Sequence, residues 1–452
     1  MKVDLLVAEI GSTTTVVNAF DFTPCPKFIG QGQSPTSVGE GDVNIGLKSA
    51  IENLAKTLET DGIKYLEMIA TSSAAGGLRM TVHGLVYDMT VKAAKEAALG
   101  AGANIEYITA GKLRDSDLNR IEDIDPNIIL IAGGVDYGER DTALYNSQLI
   151  ARLNLNIPVI YAGNVENQQE VRILFEDKRS ELYVVENVYP KIDQLNIEPT
   201  RRIIQGVFEK HIVHGPGMER VRDMVTGTIM PTPGAVMASS ELLYDELGDL
   251  VTIDVGGATT DIHSVTEGSE EISRILISPE PLAKRTVEGD LGVYVNMQNI
   301  VNMVGKEELA KELDIIEEEL EDMIENYEPI PRSEMELNFV EKLTEHAVIT
   351  AIKRHAGRLR DLYGPGGKKT IAEGKDLTAI RTIIGTGGAL TRLPNRVKLL
   401  KQIASSNRGS ELLPTKGANI VIDNNYIMAS LGVMSKEYPE EALELLKDSL
   451  DL

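Results

Sequence analysis

The chain has a single cysteine, Cys25, and no tryptophan, and aromatic residues make up only 4% of it. One thiol excludes an internal disulfide and any thiolate cluster for zinc or iron–sulfur chemistry within one chain. A two-fold dimer could still pair Cys25 with its mate, which leaves a homodimer open, although a buried or idle thiol is the simpler reading. Basic residues are also scarce, 45 Lys and Arg against 69 Asp and Glu, for a formal charge of −24. Such a surface repels polyanions, and no dense basic track interrupts it, so nucleic acid is excluded as an expected partner. Long apolar runs are missing too. The first one, within MKVDLLVAEIGSTTT, carries Asp4 and Glu9, which neither a signal-peptide core nor a membrane span accommodates easily, so a cytoplasmic protein with no membrane partner is expected. The six histidines are scattered, and the His211/His214 pair has no helical metal spacing.

What is present is length and alternation. A chain of 452 residues can bury two or more independent cores. Residues 3–8 and 15–20 are β-branched apolar runs separated by Gly11, Ser12 and Thr13, which predicts an opening hairpin. A third run at 27–32 and a helix over 42–58, capped by Asp42, follow, then a buried strand over 66–71. From 82 to 200 single apolar strands (105–109, 128–132, 159–162, 182–185) alternate with helices, the pattern of a parallel layer and of an inserted α/β domain. Residues 201–249 return to the first lobe with helices near 203–212 and 234–244. The opening theme then repeats: strands at 250–255, 261–265 and 272–277 around a Gly and Thr turn. The second lobe is expected over 250–452, with a helical subdomain at about 295–370 whose last helix runs from 334 to 363, a closing strand at 380–384 and a final helix at 426–436. The first lobe begins as residues 1–81.

Three Gly and Thr turns carry the chemistry. In the first, Glu9 ends a strand that bends through Gly11, Ser12, Thr13 and Thr14. Backbone N–H groups and hydroxyls in such a turn suit an anion, and the carboxylate suits the metal that neutralises it. The second, Asp254-Val255-Gly256-Gly257-Ala258-Thr259-Thr260-Asp261, repeats the arrangement with a shorter acid and a further Asp within reach of metal or water. The third, Gly385-Thr386-Gly387-Gly388, removes the side chains that would block a flat ring. Each alone is weak; together and in this order they are specific.

The three segments resemble the two phosphate motifs and the adenosine motif of the superfamily of actin, sugar kinases and heat-shock chaperone ATPases. The runs 231–238 and 426–432 resemble its two connecting helices. Over nearly the whole chain the closer resemblance is to the GlmL (MutL-type) accessory proteins of glutamate mutase, carried by the phrases at 8–15, 72–80, 131–136 and 288–292. The resemblance implies an actin-like ATPase fold, that is, an α/β protein of two duplicated ribonuclease H-like lobes with an inserted α/β domain, closing as a clamp on Mg-ATP. It implies ATP and Mg2+ as cofactors and a chaperone that reactivates an adenosylcobalamin-dependent mutase, for glutamate or another amino acid, by releasing damaged cobalamin. The implied metal ligands are Glu9 and Asp254, the catalytic acids Asp254 and Asp261. The implied nucleotide contacts are Gly11, Ser12, Thr13, Thr14, Gly256, Gly257, Ala258, Thr259, Gly385, Thr386, Gly387 and Gly388, with Arg354 and Arg358, one turn apart on a second-lobe helix, flanking adenine. Two departures stand out: Glu9 where the superfamily has Asp, and Met230 where the chaperones have Glu ahead of the Pro-Thr pair. If that Glu orients water in the chaperones, hydrolysis here is expected to be slow or to use Asp261. A small-molecule kinase and a nucleotide-binding scaffold or filament protein are the alternatives; activator ATPases that bridge chains with a cysteine-held cluster are excluded by the lone thiol.

Overall fold

A computed structural model describes residues 1–11, 14–37, 41–73, 78–211, 224–328, 331–364 and 367–452. Contacts group the chain into two units, Met1–Ala238 with Ala429–Leu445, and Ser239–Met428 with Leu446–Leu452.

The first unit opens with β1 (Lys2–Ile10), β2 (Thr14–Asp21), β3 (Lys27–Pro35) and β4 (Lys64–Ser72). The β1/β2 hairpin is antiparallel, as the Gly and Thr turn between two β-branched runs predicts. The helix Val43–Thr57 starts where Asp42 accepts a hydrogen bond from the Asn44 N–H at 3.0 Å, and it buries Leu47, Ala50 and Leu54. It lies so close to β3 that a Cβ on Gly32 would sit 2.2 Å from the Ala50 carbonyl oxygen. Next come β5 (Leu78–Gly84), β6 (Ala103–Ala110), β7 (Ile128–Ile131), β8 (Val159–Tyr161) and β9 (Leu182–Val184), and then β10 (Ile229–Pro231). β5 to β9 form an all-parallel sheet in the order β6-β5-β7-β8-β9. Leu78, Met80, Val82, Ile128, Leu130 and Ile160 from this sheet share one buried cluster with Val3, Leu6, Ala8 and Met68. The stretch over 82–200 is therefore fused to the opening sheet through a common core.

The second unit contains β11 (Leu250–Val255), β12 (Thr260–Val265), β13 (Ala283–Glu288), β14 (Arg358–Gly364), β15 (Gly367–Glu373), β16 (Thr382–Thr386) and β17 (Asn419–Ile422). Its main sheet runs β13-β12-β11-β16-β17, with β11/β12 and β12/β13 antiparallel and the rest parallel. The opening sheet runs β3-β2-β1-β4-β10 with the same directions. Two sheets of identical order and hand of pairing are the duplication that an actin-like fold requires.

Three expectations are corrected here. The third strand of the second sheet is β13 at 283–288, not 272–277. Ser269 caps a one-turn helix at Glu270–Ser273, and the charged side chains of Lys284 and Arg285 hide the real strand until their partners Glu280 and Asp261 are seen. The helix expected to reach 363 ends at His355. There Gly357 donates to the Lys375 carbonyl, and a Cβ on it would lie 2.6 Å from the Glu373 carbonyl oxygen, so pairing with β15 claims the chain. Arg358 thus lies on a strand and not one turn beyond Arg354 on a helix. The helix Pro439–Ser449 is an element the sequence analysis does not predict. Helices Met297–Val304, Lys306–Leu313, Glu317–Glu325 and Glu334–His355 pack through Ile300, Leu309, Leu320, Phe339 and Leu343. Among the described residues no helix is long and apolar enough to cross a membrane.

Candidate functional site

The two acid-tipped turns are built on one plan. The Gly11 N–H donates to the Thr14 carbonyl at 3.0 Å, and the Gly256 N–H to the Thr259 carbonyl at 2.9 Å. A Cβ on Gly11 would sit 2.7 Å from the Thr14 oxygen, so the first bend needs its glycine. Ser12 and Thr13 lie outside the described residues; Thr14 begins β2.

The second turn is tied back by the segment that follows β13. Val293 N–H donates to the Gly256 carbonyl at 3.2 Å, Tyr294 and Val295 N–H donate to the Gly257 carbonyl at 2.9 and 2.7 Å, and the Asn296 amide donates to the Ala258 carbonyl at 2.8 Å. Gly292 is pressed against the turn, since a Cβ on it would lie 2.2 Å from the Ala258 carbonyl carbon. All three carbonyls are thus committed, whereas the N–H groups of Gly257, Ala258 and Thr259 find no acceptor in the described residues. A run of consecutive uncommitted N–H groups is a receptor for an anion.

The acids differ in their surroundings. On β1, Glu9 is buried, and its Oε1 accepts from the Ser430 N–H (3.1 Å), the Ser430 hydroxyl (2.5 Å) and, more distantly, the Asn18 amide (3.4 Å). Asn18 in turn accepts from Gln31. On β11, Asp254 accepts no hydrogen bond from the described residues. Its register partner is Asp261, and Asp423 lies near enough to add repulsion. Burial first, then the Asp261 charge, raises the Asp254 carboxyl to about 7, against the opposing pull of Arg285. Asp261 itself is held: Arg285 Nε and an Nη donate to its Oδ1 at 2.9 and 2.6 Å, and the Thr259 hydroxyl to its Oδ2 at 2.9 Å. Arg285 is 1% exposed, so this is a desolvated ion pair that sets geometry. Beside it His263 is fully buried, neither ring nitrogen has a partner among the described residues, and burial keeps it neutral by lowering it to about 3.

The third turn meets the second directly. Thr386 is the register partner of Asp254, and its hydroxyl donates to Asp423 at 2.9 Å. Gly387 has φ +88°, and a Cβ there would fall 2.4 Å from an Asp254 carboxylate oxygen. Gly385 is a packing glycine under Ile422 and Leu400, whereas the Cβ position of Gly388 has open space around it. Arg354 donates to Glu288 at 2.7 Å and to Asp290 at 2.8 Å. Its place on the helix Glu334–His355 therefore links that helix to the segment bracing the second turn.

Several of these residues escaped the sequence analysis. Arg285 sits in a strand masked by its charges. Asp423, 1% exposed, accepts from the Ile427 and Met428 N–H groups at the start of the helix Met428–Met434 and from Ser449; an acid a few residues ahead of a helix start is the signal that could have found it. Asn296 lies just beyond the phrase at 288–292, which resembled the family but had no role. Among the described residues no group of three or more His, Cys, Asp or Glu side chains could hold a metal by itself. A magnesium ion that keeps water and phosphate oxygens in its shell needs only one or two carboxylates, and Asp254, which accepts no hydrogen bond from the described residues, fits that role.

A family model described as MutL protein matches residues 5–450. The curated "Protein MutL" of Clostridium tetanomorphum is 34% identical over 458 residues, covering 98% of each chain. Among solved structures, a diol dehydratase-reactivating factor in nucleotide-free form is similar at 11% identity and a TM-score of 0.41, over 96% of this chain and 100% of that one. A glycerol dehydratase reactivase is similar at 12% identity and a TM-score of 0.36, over 96% and 100%. Likeness at that level bears on neither ligand nor reaction. The family match and the curated relative, each spanning almost the whole sequence that carries the paired turns, do settle descent: the chain belongs to the MutL protein family.

Proposed function

We propose that this protein binds an adenine nucleotide with magnesium, hydrolyses it slowly, and uses that cycle to reactivate an adenosylcobalamin-dependent mutase by releasing damaged cobalamin. The observation that carries the reading is the pairing of three N–H groups, on Gly257, Ala258 and Thr259, with a carboxylate, Asp254, none of which has a hydrogen-bond partner among the described residues. Phosphate oxygens complement the first and a cation the second. Magnesium would be held by Asp254, with Glu9 the corresponding acid of the first turn, and would offset phosphate charge. Asp254, raised to about 7, can take up a proton near neutral pH. Asp261, gripped by Arg285 and Thr259, orients its neighbours. Gly388 leaves backbone bare for the flat part of the nucleotide.

Family membership supports a mutase as client. Such a protein acts only by binding the open mutase better than the closed one, because differential affinity alone moves that equilibrium. The parallel sheet β5 to β9 is the proposed contact; since it shares its core with β1 and β4, surface substitution at Tyr137, 80% exposed, tests it where deletion would break the fold. The decisive assay inactivates a mutase with hydroxocobalamin and adds this protein, Mg-ATP and fresh adenosylcobalamin. Activity returns with ATP and not with a non-hydrolysable analogue; recovery without nucleotide, or none with glutamate mutase and the amino mutases, would sink the reading.

A further inference from the structure

An anion-binding turn works only if its N–H groups are aimed before the anion arrives, because a flexible loop spends binding energy on its own ordering. Nothing within residues 256–259 besides one hydrogen bond, Gly256 N–H to the Thr259 carbonyl, fixes this turn. What fixes it is the segment from Glu288 to Asn296. Asn296 is the one side chain among those contacts. Its amide donates to the Ala258 carbonyl and to the Gly289 carbonyl, both at 2.8 Å. Both partners are acceptors, so the nitrogen of the amide must face them. The segment is anchored in turn to the helical subdomain at two points. Arg354 holds Glu288 and Asp290, and the Tyr327 hydroxyl donates to the Val293 carbonyl at 2.8 Å. Tyr327 is itself wedged between Tyr294 and Phe339, with ring centroids 5.7 and 5.4 Å away.

We infer that Asn296 is the positioning residue of the second phosphate turn: by holding the Ala258 and Gly289 carbonyls together it aims the turn's N–H groups at a phosphate. The inference rests on the nucleotide reading of that turn. It also gives the helices at 297–355 a mechanical route to the phosphate, through Arg354 at one end of the strut and Tyr327 at the other.

Two variants separate donation from volume. Asn296→Asp keeps the shape but sets a carboxylate against two carbonyls; Asn296→Ala removes both shape and donor. In the ligand-free protein, amide hydrogen exchange at Gly257–Thr259 speeds up in both variants, with exchange in β11 and β12 unchanged. Mg-ATP and Mg-ADP bind about tenfold more weakly in Asn296→Ala, as the loss of two hydrogen bonds implies, and at least as weakly in Asn296→Asp, whereas adenosine binds all three proteins alike. Wild-type exchange at the turn in either variant, phosphate-independent weakening, or an Asp variant that behaves as wild type overturns the inference while leaving the nucleotide site standing. A wild-type protein that binds no nucleotide overturns that site, and this role with it.

Discussion

The two turns share a closing hydrogen bond and differ in how their acids are treated. Glu9 is hydrogen-bonded locally, its Oε1 accepting from a serine N–H, a serine hydroxyl and an asparagine amide. Asp254 faces Asp261 across the hairpin with no donor among the described residues, so a proton or a cation would offset the repulsion between the two acids. Duplication kept the hydrogen bond that shapes each bend, Gly11 to Thr14 and Gly256 to Thr259, and let the electrostatics diverge. The second turn is accordingly the one proposed to respond to a metal and its phosphate.

The largest break in this comparison comes from Asp254→Asn, which lowers Mg-ATP hydrolysis about 100-fold in a steady-state assay. The same variant changes the stability profile of the ligand-free protein. The folded carboxyl titrates near 7 and the unfolded one near its ordinary 3.8, so between those values the native state holds a proton that the unfolded state has released. Stability from this group is present at low pH and lost as pH rises through 7. Denaturant melts from pH 5 to 8 show that loss in the wild type and not in Asp254→Asn.

Next in size is Gly387→Ala. Its Cβ would collide with Asp254 at φ +88°, costing roughly 1–3 kcal/mol in urea unfolding. Gly388→Ala, with open space around the new methyl, stays within about 0.5 kcal/mol of wild type. Equal costs at the two positions would contradict the packing of the third turn on the second.

Glu9→Gln sharpens the comparison from the other side. A Gln oxygen still accepts from Ser430 and Asn18, so Mg-ATP affinity measured by calorimetry falls by less than about tenfold, under 1.4 kcal/mol, well short of the Asp254 effect. A small effect is also expected of Arg354→Met, whose ion pairs are 42% exposed on the arginine side; it lowers stability by less than about 1 kcal/mol.

What the sequence made legible was whatever is local. Alternation and turn residues marked β1, β2, β11 and β12, and Asp42 marked the start of its helix, because side-chain period and capping act over a few residues. The acid at the end of each first strand was legible for the same reason. Where distant partners decide, local pattern misleads. β13 looks too charged for a buried strand until Asp261 arrives for Arg285. Residues 358–363 continue a helical pattern until β15 pairs with them. The bracing of the turn by Asn296 and the hydrogen bond from the Ser449 hydroxyl to Asp423 both join residues remote in sequence, 38 apart for Asn296 and Ala258 and 26 apart for Ser449 and Asp423, and leave no periodic trace.

The central claim is that a triphosphate seats on the N–H groups of the second turn. Amide hydrogen exchange with and without Mg-ATP measures this directly. The account predicts slowed exchange at Gly257, Ala258 and Thr259 that requires magnesium and is lost in Asp254→Asn; unchanged exchange at those three amides with nucleotide bound elsewhere would contradict it.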